Sequence, residues 1–432
     1  MKRQQCIFIA IFLFFTLPLQ AQTLSPIEQN IRLTIEQQQP AQLALLKKLV
    51  NINSGTNNIA GVKRVGDIMR TELKQLGFKT QWVYPPAGMK RAPTLIAKRE
   101  GTQGKRLLLI GHLDTVYAPQ SPFKQFELKD NGIAKGPGVI DDKGGLVIIL
   151  FALKALHAVH ALDNTTITVV LTGDEEDSGK PTTISRKPLR EAANNMDIAL
   201  DFEPAMTLQT VSIARRGITN WTITSQGNEA HSATIFHNTV GDGAIFELSR
   251  ILTAMHKQLK GEKYLVFNPG LIVGGTQARS DRQAGQGSAF GKQNVVAKTA
   301  IAEGDLRFID PQQEQAAQTK MINIVAQSLP GTHSTIQFEP GIPAMPPTDT
   351  NLKLAAAYSA VSVDLGYGAI KTDEPGSRGA GDISHVAGIV PANLVGLGAT
   401  GSGMHSIAER IELRSLPVQT KKTAIFIYRC IL

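Results

Sequence analysis

In KRLLLIGHLDTV, residues 105–116, a run of large apolar side chains breaks abruptly into Gly111, His112 and Asp114. An apolar segment of strand length that ends on polar groups reads as a buried strand delivering side chains to the rim of a sheet. The pattern recurs in LIAKRE (95–100), TTITVVLTGDEE (165–176) and MDIALDFEP (196–204), and an apolar helix-like run follows Gly145. Strands alternating with helices imply an α/β fold: a mostly parallel mixed sheet flanked by helices, with the useful residues where strands end.

Upstream, residues 23–80 carry helical repeats, with a start signal at Ser25-Pro26. Downstream, the rhythm changes near residue 212. ITNWTITSQ (218–226), a helix around 243–259, YLVFNPGLIVGG (264–275), VVAKTAIAEGDLRF (295–308), a helix over 312–329 and TIQFEP (335–340) follow one another. That order, strand-helix-strand-strand-helix-strand, is the ferredoxin-like α+β arrangement. The Gly/Gln/Ser-rich segment 276–293 interrupts it and is expected to be a mobile loop joining two strands. After residue 340 the α/β pattern resumes, with a helix from Asn351, a strand at 392–398 and a C-terminal helix. The expected division is an α/β domain in two parts, 22–211 and 338–432, with a second domain inserted at 212–337.

The first residues read as a secretory signal, with Lys2 and Arg3, an apolar run from Cys6 to Leu19 and a small-residue cleavage site at Ala21. The run is short for a membrane span, so the mature chain is expected to be exported, periplasmic or secreted, with no membrane span, a retained membrane anchor being the other reading. Cleavage removes two positive charges, and the formal net charge falls from +9 to +7. No basic cluster with interleaved aromatics marks a nucleic-acid surface, so the excess fits solubility or anionic substrates better than nucleic acid. Only Cys430 survives processing, which excludes an intrachain disulfide. Stability must come from burial, and about 410 residues suffice for two to three cores.

Five short pieces place acids or histidine at expected strand ends. GHLDT carries His112 and Asp114, and GPGVIDDKGG (136–145) carries Asp141 and Asp142. TGDEED carries Asp174, Glu175, Glu176 and Asp177; DFEP carries Glu203; SGMHS carries His405. Singly, each is an ordinary capped turn, acidic loop or surface histidine. Together on one rim they would repel strongly, and a pair of divalent cations removes that repulsion; imidazole with carboxylate oxygen suits zinc.

In order and spacing these pieces resemble the co-catalytic di-zinc metallopeptidases that include bacterial glutamate carboxypeptidase, aminoacylase, succinyl-diaminopimelate desuccinylase and dipeptidases. The resemblance covers nearly the whole mature chain. It implies two zinc ions per subunit, with Asp141 bridging them, His112 and Glu203 completing one site, and Glu176 and His405 the other. Glu175 is then the general base and Asp114 the partner that orients His112. The peptide between Asp141 and Asp142 is expected to be cis, with Asp142 structural. His231 in NEAHSA resembles a family histidine that reaches a neighbouring subunit's active site, so the insert would serve as lid and dimerisation domain of a homodimer. Asn294 and Arg307 resemble substrate-contacting residues.

Arg378, in the glycine-rich GSRGAGDISH, is a candidate partner for a substrate carboxylate through a bidentate pair, with an exposed loop arginine as the other reading. His385 in the same segment is set aside because it falls in an expected helix, whereas His405 is followed by Glu409 in the family pattern. HSATIFHNTVGDGA lacks the proline and Gly-x-Asn-Ala common after the family histidine, and NVVA replaces NxIP. These departures bear on the substrate and leave the metal residues intact. The expected activity is hydrolysis of an amide beside a free carboxylate, in a peptide or an N-acyl amino acid. A non-catalytic metal binder is the third alternative, and it has no need of Glu175.

Overall fold

The computed structural model describes residues 24–432 apart from Gln283; the signal-peptide expectation falls on residues outside that range. A six-stranded sheet runs, edge to edge, through Lys79–Val83, Thr94–Arg99, Thr165–Thr172, Gln103–His112, Ile198–Asp201 and Ala392–Val395. The four strands from Thr165–Thr172 to Ala392–Val395 pair in parallel, and the other two are antiparallel. The α/β reading with a mixed sheet and flanking helices is therefore correct.

Strand Gln103–His112 shows why the sheet is buried twice. Leu107 and Leu109 join the larger core with helix Lys143–Ala158, while Leu108 and Ile110 join a second core with Leu189 and Val386 on the opposite face. A strand covered on both sides needs apolar residues at every position, which is what the run at 107–110 supplies. Helix Lys143–Ala158 is apolar nearly all round, so it can only lie inside, beneath helices Pro26–Gln37, Gln39–Val50 and Ser415–Ile431. Helix Pro26–Gln37 starts where expected, on a capping box between Ser25 and Glu28.

Chain order and spatial order part company beside Gln103–His112. The chain leaves this strand for Thr165–Thr172 on one side and then crosses to Ile198–Asp201 on the other. Loops diverging from neighbouring carboxyl ends open a crevice at such a switch point, and ligands bind there.

A second, antiparallel sheet runs Val266–Gly275, Thr299–Phe308, Gly217–Gln226, His333–Ile342. Helices Ala244–Leu259 and Pro311–Ala326 cover one face over a core containing Trp221, Ile223, Leu248, Met255 and Met321. The two chain segments joining the sheets run side by side, Arg215 and Met345 exchanging backbone hydrogen bonds at 2.9 Å.

The segment 276–293 is not the irregular mobile loop expected. It folds as a hairpin, Gln277–Asp281 against Gln286–Phe290. Its composition hid this because the hairpin draws on contacts across the second sheet. Ser280 bonds Glu303, Arg282 ion-pairs with Glu339 at 2.8 Å and donates to the Trp221 carbonyl, and a Cβ at Gly287 would press on Val273.

Candidate metal centre

The centre lies at the carboxyl ends of the parallel strands. Strand Gln103–His112 ends on His112; the strand Thr165–Thr172 runs out into Asp174, Glu175 and Glu176; and Ile198–Asp201 leads directly to Glu203. Asp141 and Asp142 precede helix Lys143–Ala158, and the peptide between them is cis.

Asp141 stands between two imidazoles. One carboxylate oxygen is 3.0 Å from His112 Nε2, and the other is 3.2 Å from His405 Nε2. Around His112 lie Glu203 Oε1 at 3.7 Å and Glu175; on the other side, His405 Nε2 is 3.3 Å from Glu176 Oε2. His112–Glu175–Glu203 and His112–Asp141–Glu176 each offer ligand atoms within 4.8 Å of one another. All these groups are largely sheltered except His405, whose side chain is 59% exposed.

Asp114 holds two parts of the centre at once. Its Oδ1 is 3.3 Å from His112 Nδ1 and accepts the Glu175 N–H, while Oδ2 accepts from the Glu176 N–H and the Thr56 hydroxyl. Asp142 turns away from the centre, accepting the His112 N–H at 3.2 Å.

Such crowding perturbs the titration of His112, Asp141, Glu175, Glu176 and His405. Burial opposes charging His112, but its hydrogen bonds to Asp114 and Asp141 prevail and push its pKa well up. Burial likewise acts against ionised Asp141, yet the two histidines hold its carboxyl well below the usual range. Burial raises Glu175 well above an ordinary carboxyl, with Glu203 adding to the effect, and lifts Glu176 to about 7. Hydrogen bonds to Asp141 and Glu176 raise His405 to about 10. Divalent metal fits this donor set. Carboxylates destabilised by burial and by one another gain a counter-charge, the imidazoles exchange their proton for a ligand role, and Glu176 Oε1, buried with no hydrogen-bond partner, gains one.

The remaining candidates stand elsewhere. His231 and Asn294 lie together on the second sheet's unit, where the Ser232 N–H donates to the Asn294 carbonyl; both side chains are exposed. Arg307 pairs with Asp305 at 2.8 Å. Among the described residues none of these three hydrogen-bonds or ion-pairs with the centre. Arg378 is buried rather than loop-exposed, bonding the Pro204 carbonyl with Nη2 3.7 Å from Glu203 Oε2. His385 is buried near Asp382 and Arg186, away from Asp141.

Three further residues support the centre. Arg215 sits 3.2 Å from Glu203. Arg186 is buried between Asp174 and Asp382, at 2.7 and 2.5 Å. Glu409, wholly buried, accepts from the N–H groups of Gly138, Ile140 and Asp141 and from the Tyr117 hydroxyl. Glu409 alone was pointed to, by its place after His405.

Comparison with known proteins agrees with this geometry. Residues 108–429 match peptidase family M20/M25/M40. Carboxypeptidase G2 of Pseudomonas sp. (strain RS-16) is 29% identical over 387 residues, covering 88% of this chain and 87% of that protein. A succinyl-diaminopimelate desuccinylase of Marinobacter nauticus is 25% identical, covering 87% and 94%. The solved aminopeptidase PepT of Bacillus cereus superposes with a TM-score of 0.72 at 18% identity, over 91% of this chain and 98% of that one, a likeness of fold.

Proposed function

The chain belongs to peptidase family M20/M25/M40, and on that footing we propose that it is an exported zinc hydrolase cleaving an amide bond beside a free carboxylate, a carboxypeptidase-like exopeptidase. One observation carries the reading: the two oxygens of Asp141 face two different histidines, His112 and His405. His112 and Glu203 would hold one ion, Glu176 and His405 the other, with Asp141 shared. Zinc bound there supplies Lewis acidity and lowers the pKa of water.

The chain's own groups do the rest. Glu175 is the general base: it takes a proton from water and passes it to the departing nitrogen. Asp114 keeps His112 oriented and anchors the backbone of the Glu175–Glu176 pair. Asn294 and Arg307 would contact the substrate, and Arg378, beside Glu203, would pair with its carboxylate. His231 would stabilise the developing oxyanion from a second subunit, which makes the working form a homodimer with the inserted unit as lid. The first 21 residues would direct export to the periplasm or beyond.

A second reading, an N-acyl-amino-acid deacylase, draws on the similarity to the desuccinylase. Zinc-loaded protein assayed against dipeptides, folyl-glutamate-type conjugates and N-acyl amino acids separates them. Release of the carboxyl-terminal residue from peptides is expected. Turnover of N-acyl amino acids alone would transfer the assignment to the deacylase, and no turnover with both metals bound would sink both.

A further inference from the structure

Arg215 occupies an unusual position. Its backbone pairs with Met345 in the two strands of chain that connect the sheets, and its side chain is buried against the centre. Nε donates to the Gly379 carbonyl, Nη2 donates to the Ala380 carbonyl at 3.1 Å, and Nη1 ion-pairs with Glu203 Oε2 at 3.2 Å. The guanidinium lies flat on the glycine-rich loop because Gly381 has no Cβ; one built there would fall 2.7 Å from Nη1. A planar fork reaches the two carbonyls through Nε and Nη2 while Nη1 stays beside Glu203 as an ion-pair partner, a spread of positions that the single nitrogen of an ammonium does not offer.

We infer that Arg215 is a positioning residue for Glu203, fixing Oε2 so that Oε1 faces His112, and tying that carboxylate to the junction between the two sheets. Oε1 is the oxygen 3.7 Å from His112 Nε2, and Oε2 is the one Arg215 holds. Without the guanidinium, Glu203 is free to rotate, and ordering it becomes part of the free energy of binding metal. Arg378, 0.5 Å further from the same oxygen and committed to the Pro204 carbonyl, cannot replace it.

This rests on the reading of Glu203 as a metal ligand, and the test separates the two. Metal-free wild type and the variants Arg215→Met, Arg215→Lys and Glu203→Gln are titrated with zinc against a competing chromophoric chelator, and the cobalt-loaded forms are compared by visible absorption. Arg215→Met is expected to weaken one of two ions about 10–100-fold and to alter the cobalt bands, with Arg215→Lys between it and wild type. Weaker binding in Glu203→Gln with wild-type affinity in Arg215→Met would overturn the inference while leaving Glu203 a ligand. Unchanged affinity in Glu203→Gln would overturn the ligand reading itself. Lowered melting of metal-free Arg215→Met without any change in affinity marks a merely structural arginine and also overturns it; Arg215→Lys carries the comparison if the methionine variant fails to fold.

Discussion

Replacing Glu409 by glutamine tests whether the loop bearing Asp141 is held by one buried carboxylate. Glu409 Oε1 accepts the N–H groups of Ile140 and Asp141 at 2.9 and 3.2 Å; Oε2 accepts the Gly138 N–H at 2.9 Å and the Tyr117 hydroxyl at 2.7 Å. A glutamine of the same shape keeps one acceptor and turns the other into an NH2 group. In either flip, two buried donors then face a donor. Stranding a buried polar group costs about 1–3 kcal/mol, although the Tyr117 hydroxyl can still turn to the Ser406 carbonyl at 2.8 Å. The expected loss is therefore about 2–4 kcal/mol, while Tyr117→Phe, which removes a donor and strands nothing, should cost about 1 kcal/mol. Urea unfolding of the metal-free proteins at pH 7 measures both. A loss below about 1 kcal/mol for Glu409→Gln, or equal losses for the two variants, would refute the argument.

Arg186→Met should lower stability by about 3–5 kcal/mol, because Asp174 and Asp382 would lose their shared guanidinium in the interior; thermal melting checks this, and a shift of under a degree would contradict it. Lys422 is buried with its ammonium on the Leu208 carbonyl, and burial brings its pKa down to about 7 from 10.5. The unfolded chain then binds more protons between pH 7 and about 10.5, so this group adds stability as pH rises through that window and imposes its full penalty below it. Lys422→Met should accordingly stabilise the protein by a few kcal/mol at pH 6, roughly 1.4 kcal/mol per pKa unit, with the gain shrinking toward pH 10; a gain independent of pH would refute this. Dialysis against a chelator should lower the melting temperature and abolish activity, with zinc restoring both; for ligand at about 1,000 times Kd the lost stabilisation is about 4 kcal/mol per site. Identical melting curves with and without chelator would contradict a metal centre.

Much of the fold was legible because burial leaves a local trace. The apolar run at 107–110 and the alternation of strands and helices around it reflect which faces an element must hide, and the strands of the mixed sheet follow them to within a few residues. Segment 276–293 was misread for the complementary reason: its strands are held by Glu303, Glu339 and the face of another sheet, all remote in sequence.

At the centre, residue types and strand ends could be read locally, since His112, Glu175, Glu176 and Glu203 each follow an apolar strand. That Asp141 faces both His112 and His405, 264 positions away from the latter, depends on how the strands are ordered in the sheet. The supports are more hidden still. Arg186 and Arg215 look like any surface charges in the sequence, and Glu409 is marked only by its place after His405, because a charged side chain advertises no partner. Each was taken out of water only where chain folding brought remote carboxylates, carbonyls or N–H groups around it, and that convergence is a property of the assembled sheet alone.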